Sequence, residues 1–405
     1  MNNTKLKTLS ILKGIGIIMI IIVHNRHFIM KDMSGYRQLI NYGQMGCQLF
    51  FMVSGMALCY SWFKQIENSN NSLSDRLKNY GSFILKRYLR LAPGFLLIMC
   101  TNLILNYILI DILKYSPGYI MNRKPKAIIA NIFFLHGLIP DCINNVFPGG
   151  WYIGTTFILY LLFPLLASLF DKLYSLKKYI IVFLPLIFLG INYIFMKQIS
   201  SITHNAYYPH NSSFMYYFFL NQLPCFSLGI VLYFLERNDF CKKCPIILSS
   251  ILFAITSLGS IYLYLQPEKN FIFAILPTLV GFSFFWLAVC MIHIEKISIE
   301  KTFMENPKKR KKRDDRVLEY FAAFLESCGN HSYGMYLVHS FISWYGIKFL
   351  TDTLTNYGYE YNDLQLYIIL LLPSVLLVYV FGLYMDRLLN LLSNNFLLKK
   401  FQGVI

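Results

Sequence analysis

The sequence predicts an all-α integral membrane protein, a bundle of about ten transmembrane helices with both termini in the cytoplasm. Two features of its composition predict this class: 56% of the 405 residues are apolar, and only 14% are charged. Soluble globular domains carry about 25% charged residues, so a soluble protein is excluded. Aromatic residues make up 17% of the chain, which excludes a disordered protein.

Ten stretches of the chain are long and apolar enough to cross the hydrocarbon core, which takes about 20 residues of helix. Continuous apolar runs such as Ile15 to Val23 favour helices over a β-barrel, whose strands alternate apolar and polar residues. We place the spans at residues 9–28, 43–63, 83–110, 152–170, 179–196, 214–235, 246–265, 270–293, 332–350 and 364–390. We expect residues 1–405 to form a single membrane domain with no fused soluble domain.

The distribution of basic residues predicts the orientation. With the N-terminus inside, the cytoplasmic segments hold 27 of the 37 Lys and Arg residues, and the opposite segments hold 10. Cytoplasmic loops of membrane proteins carry such an excess of basic residues. The run from Lys308 to Arg313 then lies in the cytoplasm, where it can contact anionic lipid. The net charge of +17 therefore mainly reflects the orientation of the chain in the membrane, and we expect no nucleic-acid partner.

Two basic or ionisable side chains share one face of the first span. Lys13 and His24 are eleven residues apart, which is within about 20° of three full helical turns and about 16 Å along the axis. Ionisable groups inside a span cost roughly 2.5–3.5 kcal/mol each on insertion scales, so they are functional candidates. A neutral imidazole at His24 could act as a general base. A snorkelling lysine and an interfacial histidine would give the same pattern.

A second cluster begins the third span. Arg87 and Arg90 are three residues apart on one helix face, and guanidinium groups bind phosphate through two parallel hydrogen bonds. This pair predicts a docking site for a phosphorylated cytosolic cofactor. The alternative is a basic anchor that fixes the orientation of the span.

A third cluster begins the ninth span. Ser332, Tyr336 and His339 follow at steps of four and three residues, which places them on one helix face. Together, the three clusters predict a polar passage through the bundle, with phosphate-binding cations at its cytoplasmic end and imidazoles toward its outer end. Hydrogen bonding between neighbouring helices is the alternative for this third cluster.

The sequence predicts no metal site. Cys241 and Cys244 form a CxxC pair, but no second ligand pair follows at the spacing of a zinc site. The nine cysteines are scattered, so no disulfide framework is expected.

Five sequence motifs occur in order along nearly the whole chain. They are LKGIGIIMIIIVHN with Lys13 and His24, LFFMVSG with Ser54 and Gly55, FILKRYLRLAPG with Arg87 and Arg90, GGWYIGTTFILYLLFPLL with Trp151, Tyr160 and Pro164, and SYGMYLVH with Ser332, Tyr333, Tyr336 and His339. Together these motifs resemble the membrane acyltransferase-3 family, whose members acylate bacterial cell-envelope glycans. Lys13 stands where arginine is commoner in that family.

The resemblance implies O-acyl transfer, usually O-acetyl transfer, from cytosolic acetyl-CoA to a hydroxyl of an extracytoplasmic or lipid-linked cell-envelope polysaccharide. The expected partners are acyl-CoA, the glycan acceptor and the lipid bilayer, and the expected location is the bacterial cytoplasmic membrane. We expect His24 and His339 to act in catalysis, either through direct transfer or through an acyl-enzyme. The remaining candidates are Lys13, Arg87, Arg90, Ser332 and Tyr336 for acyl-CoA binding, and Ser54, Gly55, Trp151, Tyr160 and Tyr333 as residues of the cavity or of the motifs.

One position departs from the family pattern, and one other function fits the same residues. Many members carry glutamate five residues after the tryptophan of the fourth helix, where this chain has Thr156, so an acidic role at that position is not expected here. Ten spans and intramembrane Lys, Arg and His residues would also suit an exporter of a polysaccharide or a lipid-linked glycan. Transporters often contain two related halves, and the sequence has no such internal symmetry.

Overall fold

The computed structural model describes residues 7–30, 35–67, 73–116, 119–146, 148–203, 214–266, 272–304 and 313–392. These residues form helices and connecting segments without any strand, which confirms the all-α fold. The predicted cytoplasmic termini, residues 1–6 and 393–405, lie outside the described residues, as does most of the basic run at 308–313.

Thirteen α-helices of eight residues or more carry the architecture of the described part of the chain. They are α1 (Lys7–Asn25), α2 (Gly46–Glu67), α3 (Leu73–Asn106), α4 (Pro125–Ile132), α5 (Gly150–Leu176), α6 (Leu184–Thr203), α7 (Phe219–Glu236), α8 (Ile246–Leu265), α9 (Ile272–Met304), α10 (Arg313–Asn330), α11 (Ser332–Phe341), α12 (Lys348–Asn356) and α13 (Asp363–Leu392).

Shorter elements connect or extend these helices. The described residues contain two π-helical turns, Tyr107–Ile112 at the end of α3 and Ile342–Ile347 between α11 and α12. Short α-helices cover Tyr36–Asn41, Phe214–Tyr217 and Phe240–Lys243, and 3-10 turns cover Tyr42–Met45, Leu135–Leu138, Pro140–Cys142 and Ile180–Phe183.

Nine helical segments of the described residues are long and apolar enough to cross a membrane, and each overlaps one of the ten predicted spans. The remaining prediction, residues 332–350, is helical but is not among the nine. Its sequence brings hydroxyl groups and the imidazole of His339 into the interior, and both His339 and Ser340 are buried. The chain is therefore a multi-pass membrane protein in which this less apolar helical segment places polar side chains inside the bundle.

Helix α1 is central to the half of the bundle that holds the candidate site. It packs against α2, α10, α11 and α13. Glycines permit the closest approach: a Cβ at Gly14 would collide with the carbonyl of Leu325 in α10, and a Cβ at Gly329 would collide with the carbonyl of Ser10. Small residues allow helix backbones to pack closely in membranes. This packing places Lys13 and His24 in the interior instead of in lipid.

Gly55, predicted as a cavity or motif residue, packs two helices together. A Cβ on Gly55 would collide with the carbonyl of Phe226 in α7, and a Cβ on Gly229 of α7 would collide with the carbonyl of Met52 in α2. Gly55 is absent from the walls of the cavities described below. The LFFMVSG motif therefore serves two purposes: Gly55 allows close helix packing, and the preceding Ser54 lines a cavity.

We expect Gly55→Ala to destabilise the protein by about 1–3 kcal/mol, because the added methyl group forces two tightly packed helix backbones apart. Gly190→Ala in α6 is the matched control, because no atom lies within 4 Å of a Cβ at that position. Thermal unfolding of both variants in lipid measures the difference. A melting temperature for Gly55→Ala equal to that of the parent would contradict the packing role.

Candidate active site

An inner cavity of about 240 Å³ lies between α1, α2, α3, α5 and α11, on the side predicted to face the cytoplasm. Three cationic side chains line it: Lys13 from α1, and Arg87 and Arg90 from α3. The structure thus brings together two cationic clusters that are more than 70 residues apart in sequence. The predicted residues that line this cavity are Lys13, Ser54, Arg87, Arg90, Tyr160, Ser332, Tyr333 and Tyr336.

Arg87 is held in place by its neighbours. Its Nη2 donates a hydrogen bond of 2.8 Å to the hydroxyl of Ser61, and its guanidinium carbon lies 5.1 Å from the centre of the Phe83 ring. Its Nε is buried and has no hydrogen-bond partner among the described residues. A buried N–H donor without a partner costs free energy unless a ligand satisfies it. Arg87 is therefore prepared to bind an anion.

The first turn of α11 also faces the inner cavity. Ser332 is the first residue of this helix and lines the cavity, and the N-terminal end of a helix favours anions. Tyr333 fastens the turn to α3, because its hydroxyl donates a 2.5 Å hydrogen bond to the carbonyl of Leu91. His331, just before the helix, pairs with Asp386 of α13 at 2.9 Å. These contacts fix the position of α11 relative to the two arginines.

An outer cavity of about 280 Å³ lies on the opposite side, and His24 lines it. The ring of His24 lies 4.9 Å from the ring of His339, centre to centre. The structure therefore brings together the two predicted catalytic histidines, which are 315 residues apart in sequence. Trp151 lines this same cavity, where its ring stacks on Tyr217 at 4.3 Å.

The hydrogen bonding of His339 fixes its tautomer. Its Nδ1 lies 2.5 Å from the carbonyl oxygen of Tyr336, which can only accept, so Nδ1 carries the hydrogen. In the neutral ring, Nε2 then has the free lone pair. This Nε2 is buried and has no hydrogen-bond partner among the described residues. His339 is fully buried beside His24, which is itself only partly buried and reaches the cavity.

Tyr336 lies between the two cavities, because it lines both of them. Its hydroxyl donates a 2.5 Å hydrogen bond to the carbonyl of Gly149, and its ring lies 5.1 Å from the rings of both Tyr152 and His339. The sequence predicted one polar passage. Among the described residues, the space along α1 is instead divided into the inner and the outer cavity, with the phenol of Tyr336 between them.

Gly149 holds the loop that receives this hydrogen bond. Its φ is 85°, a left-handed conformation that favours glycine, and a Cβ there would lie 3.2 Å from the Tyr336 hydroxyl oxygen. Asn144 supports the same loop, because its side-chain oxygen accepts a 3.1 Å hydrogen bond from the Gly149 N–H. The position of the Tyr336 phenol between the two cavities, which we call the partition, therefore depends on a loop immediately before α5.

Sequence reasoning missed several residues of the outer cavity. Arg26 lines it, and its Nε donates a 3.2 Å hydrogen bond to Asn41. Trp344 and Tyr119 line it as well. Arg26 is only two residues after His24, so the VHNRH sequence carried a signal. Trp344 and Tyr119 carried none, because aromatic residues are frequent throughout this chain.

Thr156 lines the inner cavity beside Tyr152, and its hydroxyl oxygen is buried. The position at which many members of the resembled family carry glutamate thus faces the space between the cations and Tyr336. A threonine there supplies a hydroxyl but no carboxylate.

The fold and the two cavities define a multi-pass membrane protein with a polar site inside its helix bundle. The family model described as "acyltransferase domain", acyltransferase-3, matches residues 6–383. The chain therefore belongs to the acyltransferase-3 family, and it is a membrane acyltransferase. No curated protein and no solved structure matches this chain.

Proposed function

We propose that this acyltransferase transfers an acetyl group from cytosolic acetyl-CoA to a hydroxyl of a cell-envelope glycan at the outer face of the bacterial cytoplasmic membrane. The observation that carries the proposal is the pair of cavities meeting at Tyr336, with three cations in the inner cavity and the imidazole of His24 in the outer cavity. A phosphorylated donor and a neutral acceptor would use opposite mouths of such a site.

In the proposed binding mode, Lys13, Arg87 and Arg90 hold the phosphates of acetyl-CoA. Arginine suits this role because its planar donors match phosphate oxygens. The pantetheine arm then extends along α1 toward His24, which lies about 16 Å from Lys13 along the axis of a regular helix. A cavity of about 240 Å³ accommodates such a thin arm better than it accommodates a polysaccharide chain, which favours transfer over export.

The proposed chemistry is attack of an acceptor hydroxyl on the thioester carbonyl. His24 takes the hydroxyl proton as the new C–O bond forms, the C–S bond breaks, and the departing thiolate receives that proton from the imidazolium. His339 stays fixed by its hydrogen bond to the Tyr336 carbonyl and supplies a second imidazole beside that of His24. The products are the O-acetyl ester and free CoA.

The direct test uses purified protein in lipid nanodiscs with acetyl-CoA. We expect free thiol to appear only when a glycan acceptor is added, together with an equal amount of ester. Mass spectrometry of envelope glycans from a deletion strain should show the loss of the corresponding acetyl mass. Transport of a glycan across sealed vesicles without consumption of acetyl-CoA would overturn the proposal in favour of an exporter.

Tyr336 provides a separate prediction, about how tightly consumption of acetyl-CoA is coupled to acylation of the acceptor. We expect Tyr336→Ala to raise hydrolysis of acetyl-CoA without acceptor relative to acyl transfer, because removing the phenol joins the two cavities and admits water to the thioester. Tyr336→Phe is the matched variant, since it keeps the ring and loses only the bond to Gly149. The measurement is thiol release with and without acceptor. An unchanged ratio of hydrolysis to transfer in Tyr336→Ala would show that the phenol does not separate the cavities.

A further inference from the structure

A third cavity, of about 400 Å³, forms a groove at the outer end of α3. One wall comes from α3 and the residues that follow it, with Leu105, Leu109 and Leu113. The other wall comes from the segment between α11 and α12, with Trp344 and Tyr345, and from Phe349 of α12. Its lining is almost entirely apolar, in contrast to the two polar cavities. The groove therefore suits a hydrocarbon chain.

Both π-helical turns of the described residues border this groove. Leu109 belongs to the turn Tyr107–Ile112, and Trp344 and Tyr345 belong to the turn Ile342–Ile347. Each π turn inserts an extra residue into a helix, and such turns occur frequently at functional sites. The hydroxyl of Tyr345 joins the two helices, because it donates a 2.9 Å hydrogen bond to Asn102 and accepts one of 2.8 Å from Asn106. The groove is thus a built feature of both helices.

Trp344 connects the groove with the outer cavity, because it lines both. Its ring lies 4.3 Å from the ring of His27, on the cavity side. Its indole N–H is buried and has no hydrogen-bond partner among the described residues. The apolar groove therefore ends at the side chain where the polar cavity begins, and an unsatisfied donor lies at that boundary. This arrangement matches a molecule with an apolar chain and a polar head.

We propose that the groove binds the hydrocarbon chain of a lipid-linked glycan, so that the acceptor reaches His24 sideways from the outer leaflet. This inference rests on the proposed acyl transfer and names the class of acceptor. A water-soluble glycan would make no use of the groove. An ordinary phospholipid would fill the groove but would not place a sugar hydroxyl beside His24.

The experiment compares alkyl β-glucosides that share one sugar and differ only in the chain. Purified protein in nanodiscs receives labelled acetyl-CoA with methyl, octyl or dodecyl glucoside. We expect kcat/KM to rise at least tenfold from methyl to dodecyl. Leu109→Trp and Leu105→Trp fill the groove and should lower the dodecyl-to-methyl ratio at least tenfold. Ile104→Trp, on the same helix but outside the groove, is the matched control and should keep the ratio.

The control variant also corrects for partitioning of the glucosides into the bilayer, because all variants are measured in nanodiscs of the same lipid. If wild type acetylates the glucosides but the ratio is equal in all variants, the groove does not bind the chain, while acyl transfer stands. An equal fall of the dodecyl-to-methyl ratio in Ile104→Trp would likewise overturn the proposal that the groove binds the chain.

A second measurement needs no acyl transfer. Dodecyl glucoside with a diazirine at the chain end should label residues 105–115 and 342–349 in wild type and in Ile104→Trp, but not in Leu109→Trp. Equal labelling by a phospholipid carrying the same diazirine would identify an ordinary lipid as the occupant and overturn the acceptor site. Labelling of the groove without acetylation of any glucoside or native membrane glycan would count against the proposed acyl transfer alone.

Discussion

Replacement of His24 by alanine is expected to lower kcat for acyl transfer about 100-fold or more. Positioned general base catalysis contributes roughly 10²–10⁴ in rate, which at the lower end is a loss of about 3 kcal/mol of transition-state stabilisation. His24 lines the outer cavity, where the acceptor hydroxyl is proposed to bind, and its ring lies 4.9 Å from that of His339. The measurement is ester formation with acetyl-CoA in nanodiscs, at matched levels of inserted protein.

Two comparisons separate a chemical role from a structural one. His293→Ala removes an imidazole of α9 that lines neither polar cavity and bonds to the carbonyl of Cys241, so it should keep the parental rate. Added imidazole should restore part of the activity of His24→Ala, because it can occupy the vacated space and accept the proton. A correctly inserted His24→Ala protein that acylates at the parental rate would rule out His24 as the general base.

The sequence predicted the helices because long apolar runs leave few alternatives in a membrane. It also predicted that Lys13 and His24 share a helix face, since a regular helix repeats every 3.6 residues. The structure places the first in the inner cavity and the second in the outer cavity. Periodicity within one helix was sufficient for this pair, because α1 is an uninterrupted helix.

Contacts between distant segments were not predictable in the same way. The partition at Tyr336 depends on a carbonyl of Gly149, which is 187 residues earlier in the chain. The role of Gly55 depends on which helix lies opposite, and hydropathy does not identify that neighbour. The π turns beside Leu109 and Trp344 arise from local backbone geometry and leave no pattern of apolar residues. The site was therefore predictable by residue type, and its division into compartments was not.

The polar helix 332–356 shows how the two kinds of information combine. Its hydroxyl and imidazole groups reduce its hydropathy, so it is not among the nine apolar spans of the described residues. The same groups contact the interior: Ser343 donates a 3.0 Å hydrogen bond to Asn25 of α1, and the ring of His339 lies beside that of His24. A segment that is weakly apolar and yet buried is a strong indicator of a site within a membrane bundle.

Removal of both arginines from the inner cavity is expected to lower kcat/KM for acetyl-CoA about 100-fold. A hydrogen bond to a charged group contributes roughly 1.5–3 kcal/mol, so two of them give about 3 kcal/mol or more. Each 1.4 kcal/mol corresponds to about tenfold in affinity. The variant is Arg87→Ala combined with Arg90→Ala, and the measurement is the dependence of acyl transfer on acetyl-CoA concentration.

Acetyl-pantetheine, which lacks all phosphates, makes this prediction specific. With that donor the double variant should match the parent, because no phosphate remains for the guanidinium groups to bind. Lys86→Ala is the matched control, since it removes an exposed cation from the same turn of α3 without altering the cavity wall. Equal losses with acetyl-CoA and acetyl-pantetheine would mean that the arginines support the fold and not the donor. A loss confined to acetyl-CoA would place its phosphates at the inner cavity. The acyl group would then cross the membrane from the inner cavity toward the outer cavity.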